Sequence, residues 1–205
     1  MMVVIAVCCL AAGVLLGNGI LPKDIIDFLT GHSEHVLYVL MFSVGISVGA
    51  NKGVFQKLRE HHVKILLIPI GVILGSIFGG VVCSLFLGES LRDSLMIVSG
   101  LGWYSLSGVL VTELAGAKIG TIAFLCNLLR EIFSFMIIPV VVKYFNGYAA
   151  IAPAAATSED TTLPMLMKYT SGEVVMMAVL NGIICSAAVP VLINRLAGFY
   201  CICKL

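Results

Sequence analysis

Apolar residues gather into six long blocks along this chain, at 1–21, 35–50, 63–87, 94–114, 119–142 and 174–197. A helix needs about 20 apolar residues to cross the hydrocarbon core of a bilayer, and the blocks approach or exceed that length. They predict an all-α, polytopic membrane helix bundle. A seventh, weaker block at 148–167 carries Pro153, Thr157, Ser158, Glu159, Asp160, Thr161, Thr162 and Pro164. A polar run between two prolines cannot face hydrocarbon. This stretch is therefore an external loop, or a broken, re-entrant piece buried in protein at membrane depth. The pattern amounts to about six to seven spans in a single transmembrane domain over 1–205, with a three-span arm at 1–87 and a core holding the polar positions at 94–197.

Composition narrows the class. The chain is 60% hydrophobic and 11% charged, with a mean hydropathy of +1.11. Soluble domains are about 45–50% apolar and about 25% charged. Such a chain cannot cover a water-facing surface, which excludes an ordinary soluble enzyme or binding module. A net charge of +1 gives no attraction for nucleic acid. The seven cysteines lie mostly inside apolar blocks and read as small packing residues. Cys201-Ile202-Cys203 is too close-set for a zinc site, and neither a metal nor a cofactor is expected. The first block lacks a basic leading segment and a small-residue cleavage site, so it reads as a retained span.

Lys52, Lys57 and Arg59, with Lys64 at the edge, make 51–63 the only basic cluster, and the positive-inside rule places it in the cytoplasm. Counting spans from there puts the N-terminus inside, 88–93 outside, 116–118 inside and Asn146 outside. The C-terminus follows as outside if 148–167 crosses, and as inside if it only dips. Glycines four apart, at Gly13 and Gly17, Gly45 and Gly49, and Gly71, Gly75 and Gly79, set smooth stripes for close helix packing.

Three places bring polar groups to membrane depth. Ser99-Gly100-Leu101-Gly102-Trp103-Tyr104-Ser105-Leu106-Ser107-Gly108 weakens a helix and supplies hydroxyls. It predicts a discontinuous fourth span whose freed backbone groups line a cavity. A kinked helix with Trp103 and Tyr104 in an interfacial belt fits less well, because both aromatics lie mid-block. The second place is Asn127, Arg130, Glu131 and Ser134. A charge at the bilayer centre costs about 2.5–3.5 kcal/mol. Asn127 and Glu131 are four apart and share a helix face, whereas Arg130 and Glu131 point about 100° apart and pair poorly. Each needs a partner elsewhere, either in a salt bridge between helices or in a substrate. The third place is Thr157-Ser158-Glu159-Asp160-Thr161-Thr162. A solvated loop is the plainer reading there, and the apolar flanks on both sides argue for burial.

The Ser99 to Gly108 string, Thr112-Glu113, Leu129-Arg130-Glu131, and Ala156-Thr157-Ser158 with Asp160 and Thr162-Leu163-Pro164 resemble the lysine exporter family of bacterial inner membranes. The likeness covers essentially the whole chain and is strongest from Ser99 to Pro164. It implies a multi-pass inner-membrane protein that exports L-lysine and toxic lysine analogues by proton exchange. Its two important intramembrane acids match Glu131 and Asp160; Glu159 is not carried over. Family members in single chains carry one further three-span arm, and two such arms in tandem make an inverted repeat. In a split form a short and a long chain share the work, and this chain resembles the long one. The implied partners are L-lysine, protons, membrane lipid, and either a second copy or a short membrane chain.

Lysine carries two ammonium groups and one carboxylate, so its site needs desolvated anions and a donor for the carboxylate. Glu131 and Asp160 are the candidate anions. Arg130, or backbone N–H groups near Ser105, would meet the carboxylate. Trp103, Tyr104, Ser105, Ser107, Asn127 and Thr157 complete the expected substrate-binding set. Protons and lysine would then compete for the same acids. The competing readings are a transporter of another small organic ion, an intramembrane hydrolase using Glu131 and Asp160, and a non-transporting membrane subunit. The hydrolase lacks a recognisable catalytic motif, and the cost of burying Glu131 argues against a passive subunit.

Overall fold

The computed structural model describes residues 64–198 and, ahead of them, isolated positions 12, 15, 16, 22, 25, 28, 32, 39, 42 and 46. The blocks at 1–21 and 35–50 fall almost wholly outside the described residues. So do the basic stretch 51–63, Gly13, Gly17, Gly45 and Gly49, and Cys8, Cys9, Cys201 and Cys203. The chain forms two compact units, 1–51 and 52–205. The described positions of the first are mostly helical.

In the second unit the described residues hold seven α-helices and no strand. They are α1 (Lys64–Leu87), α2 (Leu91–Val98), α3 (Tyr104–Ala115), α4 (Ala117–Tyr144), α5 (Ile151–Ala154), a 3-10 turn (Ala155–Glu159), α6 (Leu163–Tyr169) and α7 (Gly172–Ala197). Helices α1, α4 and α7 are long and apolar enough to cross a membrane. Their 24, 28 and 26 residues reach about 36–42 Å at a rise of about 1.5 Å per residue. Leu67, Leu74, Phe78, Phe133, Met136 and Val191 stand exposed on them, as a surface meant for lipid requires. Among the described residues nothing lies within 4 Å of a Cβ built on Gly71, Gly75 or Gly79.

The shorter helices pair into two hairpins. Arg92, in the first turn of α2, donates through Nη2 to Leu114 O at the end of α3 (3.2 Å) and through Nε to Ala197 O at the end of α7 (3.0 Å). Helices α2 and α3 therefore enter and leave at one end of the bundle. Their tip turns through Leu101 (φ 48°) and Gly102 (φ 93°). Glycine takes a positive φ freely, whereas Leu101 does so against a steric cost. The 148–167 block enters from the opposite end. Tyr148 Oη donates to Glu173 Oε1 at the start of α7 (2.7 Å), and a Cβ on Gly147 would lie 3.1 Å from Val174 and 3.5 Å from Thr170. The chain leaves α4, dips inward and returns beside its own start, so this block is the re-entrant piece. It also bends through a positive φ, at Ala155 (50°). The two tips meet where Ala156 N donates to Leu101 O at 3.0 Å.

The result is an inverted plan. Helix α1 with hairpin α2–α3 runs one way, α4 with hairpin α5–α6 runs the other, and α7 closes the bundle. The fourth block is discontinuous, as its glycines and serines predict, but it does not cross. Eight residues of α2 reach only about 12 Å, and twelve of α3 only about 18 Å. Among the described residues α1, α4 and α7 are the helices long and apolar enough to cross. Stretches 88–93 and 116–118 share one membrane face. Asn146 lies on the other, the face where α1 begins after the basic stretch. Lys143 and Lys168 lie near that same face, in the last turns of α4 and α6, while Arg92, Lys118 and Arg195 lie near the other, so the described cations are shared between the two faces.

Glu89→Cys and Lys118→Cys should therefore react with an impermeant maleimide from one face of the membrane, and Asn146→Cys from the other. Labelling of positions 89 and 118 from opposite faces would restore a crossing fourth segment.

Candidate functional site

The helical period of α4 sorts its polar residues. Asn127, Glu131 and Ser134 fall on the buried face with Ala123 and Ile138, and Arg130 points off it. Asn127 holds the first tip. Its Oδ1 accepts from Gly102 N (2.8 Å), and its Nδ2 donates to Ile97 O (2.9 Å) and Ala123 O (2.8 Å). Gly100 is required for this approach, since a Cβ there would run into the Asn127 amide and Ser107 Cβ.

One turn along, Glu131 is 1% exposed. Neither carboxylate oxygen has an aligned hydrogen-bond partner among the described residues, nor does the buried Thr161 Oγ1. Thr161 and Asp160 nevertheless lie close enough to Glu131 to interact with it, and the Tyr104 hydroxyl feels both acids. Arg130 and Glu131 do not pair with each other; an ion pair stands instead at Arg92–Asp93, at 3.9 Å, near the end of the bundle. Arg130 turns instead to the second hairpin. Its Nε donates to Pro153 O and its Nη2 to Ala152 O, each at 3.3 Å, while Nη1 donates to Ser76 Oγ at 3.0 Å. It also floors a cavity of about 490 Å³ between α1, α2 and α4 that reaches out to Glu89 and Asp93.

The second tip is laced by its own hydroxyls. Thr157 Oγ1 donates to Ala154 O (2.9 Å) and Thr162 Oγ1 to Thr157 O (2.9 Å), and Ser158 Oγ reaches Ala155 O and Ala178 O (2.7 Å each). Asp160 stands exposed at the turn, its Oδ1 accepting from Thr161 N. Glu159 turns to α7, where Ser186 Oγ donates to its Oε1 at 2.8 Å. On the first tip, Ser107 is buried with its Oγ 3.4 Å from Tyr104 O. Trp103 and Tyr104 are half-buried, Ser105 is exposed, and the Tyr104 ring meets Phe124 edge-on at 5.4 Å.

Of the residues expected from sequence, Asp160 and Tyr104 lie within electrostatic reach of Glu131 near where the hairpins meet. Asn127, Ser107 and Thr157 sit behind them, bonded to the tips. On the first tip Ser105 is exposed and Trp103 half-buried, and Arg130 turns to the carbonyls of the second hairpin. Sequence reasoning names Thr161 and Thr162 only as part of the third polar run, without a role, and misses Asn181. The signal for the last was an amide beside a glycine, Asn181-Gly182, in the middle of an apolar block.

Three long apolar helices and two opposed hairpins whose tips meet near a buried acid, Glu131, define a polytopic helical membrane protein. The chain belongs to the lysine exporter LysO family, whose model it matches over residues 7–197. It is 36% identical over 164 residues to lysine exporter LysO of Escherichia coli (strain K12), a match covering 80% of this chain and 54% of that protein. It is 35% identical over 193 residues to a Haemophilus influenzae protein named "Putative lysine exporter", covering 91% of this chain and 94% of that one. The chain thus spans about half the length of the E. coli relative. No solved structure matches it. It is a multi-pass protein of the bacterial inner membrane.

A Cβ on Gly182 would stand 2.6 Å from both Glu159 N and Glu159 Cβ. Gly182→Ala should therefore push the second tip off α7 and cost about 1–3 kcal/mol, seen as a lower Tm in detergent. An unchanged Tm would show that the tip is not seated on α7 as described.

Proposed function

We propose that this chain exports L-lysine and lysine analogues of like charge, in exchange for protons. The observation that carries the reading is the Glu131 carboxylate, buried at the meeting point of the hairpins with no cation beside it among the described residues. A dry, unpaired anion is costly until a proton or cation joins it. A lysine ammonium brings both a charge and three N–H donors. Asp160, on the exposed side of the same junction, would receive the second ammonium. Tyr104 and Thr161 would supply hydroxyls.

For the lysine carboxylate the start of α3 is the better donor. No side chain caps it, so the first-turn N–H groups around Ser105 remain available, whereas Arg130 is engaged by carbonyls. Asn127, Ser107 and Thr157 act by holding the tips, and Trp103 closes the outer side. Proton and ammonium neutralise the same carboxylates, so each excludes the other, which is the basis of exchange. Both relatives carry the name of a lysine exporter, which supports lysine as the cargo and points away from an enzyme. The working assembly we propose is a homodimer, or this chain with a short membrane partner.

Glu131→Gln and Asp160→Asn keep shape and remove charge. Each should cut lysine efflux by about a hundredfold, the worth of a charged hydrogen bond lost in a dry site. A mutant that stays in the membrane at normal level and still protects cells from a toxic lysine analogue would remove that residue from the site. In proteoliposomes an imposed proton gradient, acidic outside, should accelerate lysine efflux. Efflux indifferent to the gradient would refute proton exchange.

A further inference from the structure

The two halves of the described unit repeat one contact. Asn127 lies ten residues past the start of α4 and bonds the tip of the hairpin before it, at Gly102 N and Ile97 O. Asn181 lies nine residues past the start of α7 and bonds the tip of the hairpin before it, donating to Ala155 O (2.9 Å) and Ser158 Oγ (3.1 Å). Both amides are buried, and each grips its tip at the turn with positive φ. Helices α4 and α7 run in opposite senses, so one clasp serves each membrane face.

We propose that Asn181 is a positioning residue for transport. It latches the α5–α6 hairpin, and releasing it opens the acid site toward the face from which that hairpin enters. The reasoning rests on how the hairpin is anchored. Its base is apolar: Ile151, Ala154 and Leu166 pack with Ile138, Val174 and Ala178. Its tip is held on α7 by hydrogen bonds through Asn181, Ser158 and Ser186. Water can replace hydrogen bonds at little net cost, whereas it cannot replace apolar burial. The tip is therefore the part that moves first, and the strained Ala155 turn favours its release. Asp160 and Thr161 ride on this hairpin, and Glu131 stays on α4. Opening it separates the acids, so Asn181 governs the site without touching cargo.

The protein carries its own reporter. Cys185, one turn beyond Asn181, is fully buried, with its Sγ 3.8 Å from Asn181 Oδ1. The test uses the full chain with Cys185 as its sole cysteine, in membrane vesicles of both orientations, and an impermeant maleimide. Asn181→Ala should raise the rate of Cys185 modification about tenfold, the worth of one to two hydrogen bonds, from the face on which α4 ends and not from the other. Asn181→Ser keeps a short polar group and should restore part of the protection; it serves as the second variant where the alanine form is not monodisperse. Asn127→Ala, on the opposite clasp, should leave the rate from that face unchanged. Unaltered rates in both Asn181 variants, or an equal rise from both faces, would overturn the latch. The lysine arm rests on the function proposed above: saturating L-lysine should slow modification in the Asn181→Ala chain. A sided rise that lysine does not slow would uphold the latch and count against lysine as the cargo.

Discussion

The hydrogen bond from Ala156 N to Leu101 O joins two pieces of irregular backbone at the depth of a bilayer core, and most of the structure follows from making that junction possible. Hydrocarbon offers no hydrogen bonds, so non-helical backbone survives there only when protein satisfies it. Each tip has freed several carbonyl and amide groups from helical pairing. Asn127 takes up Gly102 N and Ile97 O, Asn181 takes up Ala155 O, and Arg130 takes up Ala152 O and Pro153 O. Thr157, Ser158 and Thr162 close what remains within the second hairpin.

This accounting separates two kinds of polar residue that look alike in sequence. Most buried polar groups near the tips are committed to backbone and make the hairpins possible. The Glu131 carboxylate and the Thr161 hydroxyl lie close to each other, and neither has an aligned hydrogen-bond partner among the described residues. A membrane protein gains no stability from a buried carboxylate left in this state. The exception to the accounting is the acid at which we propose that a cargo cation or a proton binds. Arg130 shows the converse. It is charged and adjacent to Glu131 in sequence, and its donors go to hairpin carbonyls and to Ser76 Oγ on α1.

The helical class, the long apolar helices of the second unit and the two breaks were legible in the sequence, because lipid imposes length and hydropathy on every element that meets it. Direction was not. Block 94–114 has the length of a span, and two half-helices folded back on each other have the same hydropathy as one helix that crosses. The contact of Arg92 with Leu114 O helps to distinguish them, and a carbonyl acceptor leaves no trace in sequence. Counting block 94–114 as a crossing sets Asn146 on the face opposite the start of α1, whereas the geometry puts the two at one end of the bundle. Glu131 stood out by its cost and Asp160 by resemblance. The roles of Asn181 and of the Arg130 guanidinium were hidden because their partners are backbone.

The inverted pair within 64–197 changes what a second chain would contribute. Each hairpin enters from its own face, so both routes to the acids already lie in one chain, and a partner would serve as scaffold rather than as the missing half of a site. In the proposed cycle the same geometry enforces exchange. When the tips close over an empty, ionised Glu131, they bury a bare charge, at a cost of about 2.5–3.5 kcal/mol. That cost makes the empty, charged form about a hundredfold rarer than its neutralised counterparts. A carrier loaded with lysine, or one holding a proton, avoids it. Reorientation without cargo is then suppressed by the carboxylate itself, and the residue that binds the cation also keeps lysine from leaking back.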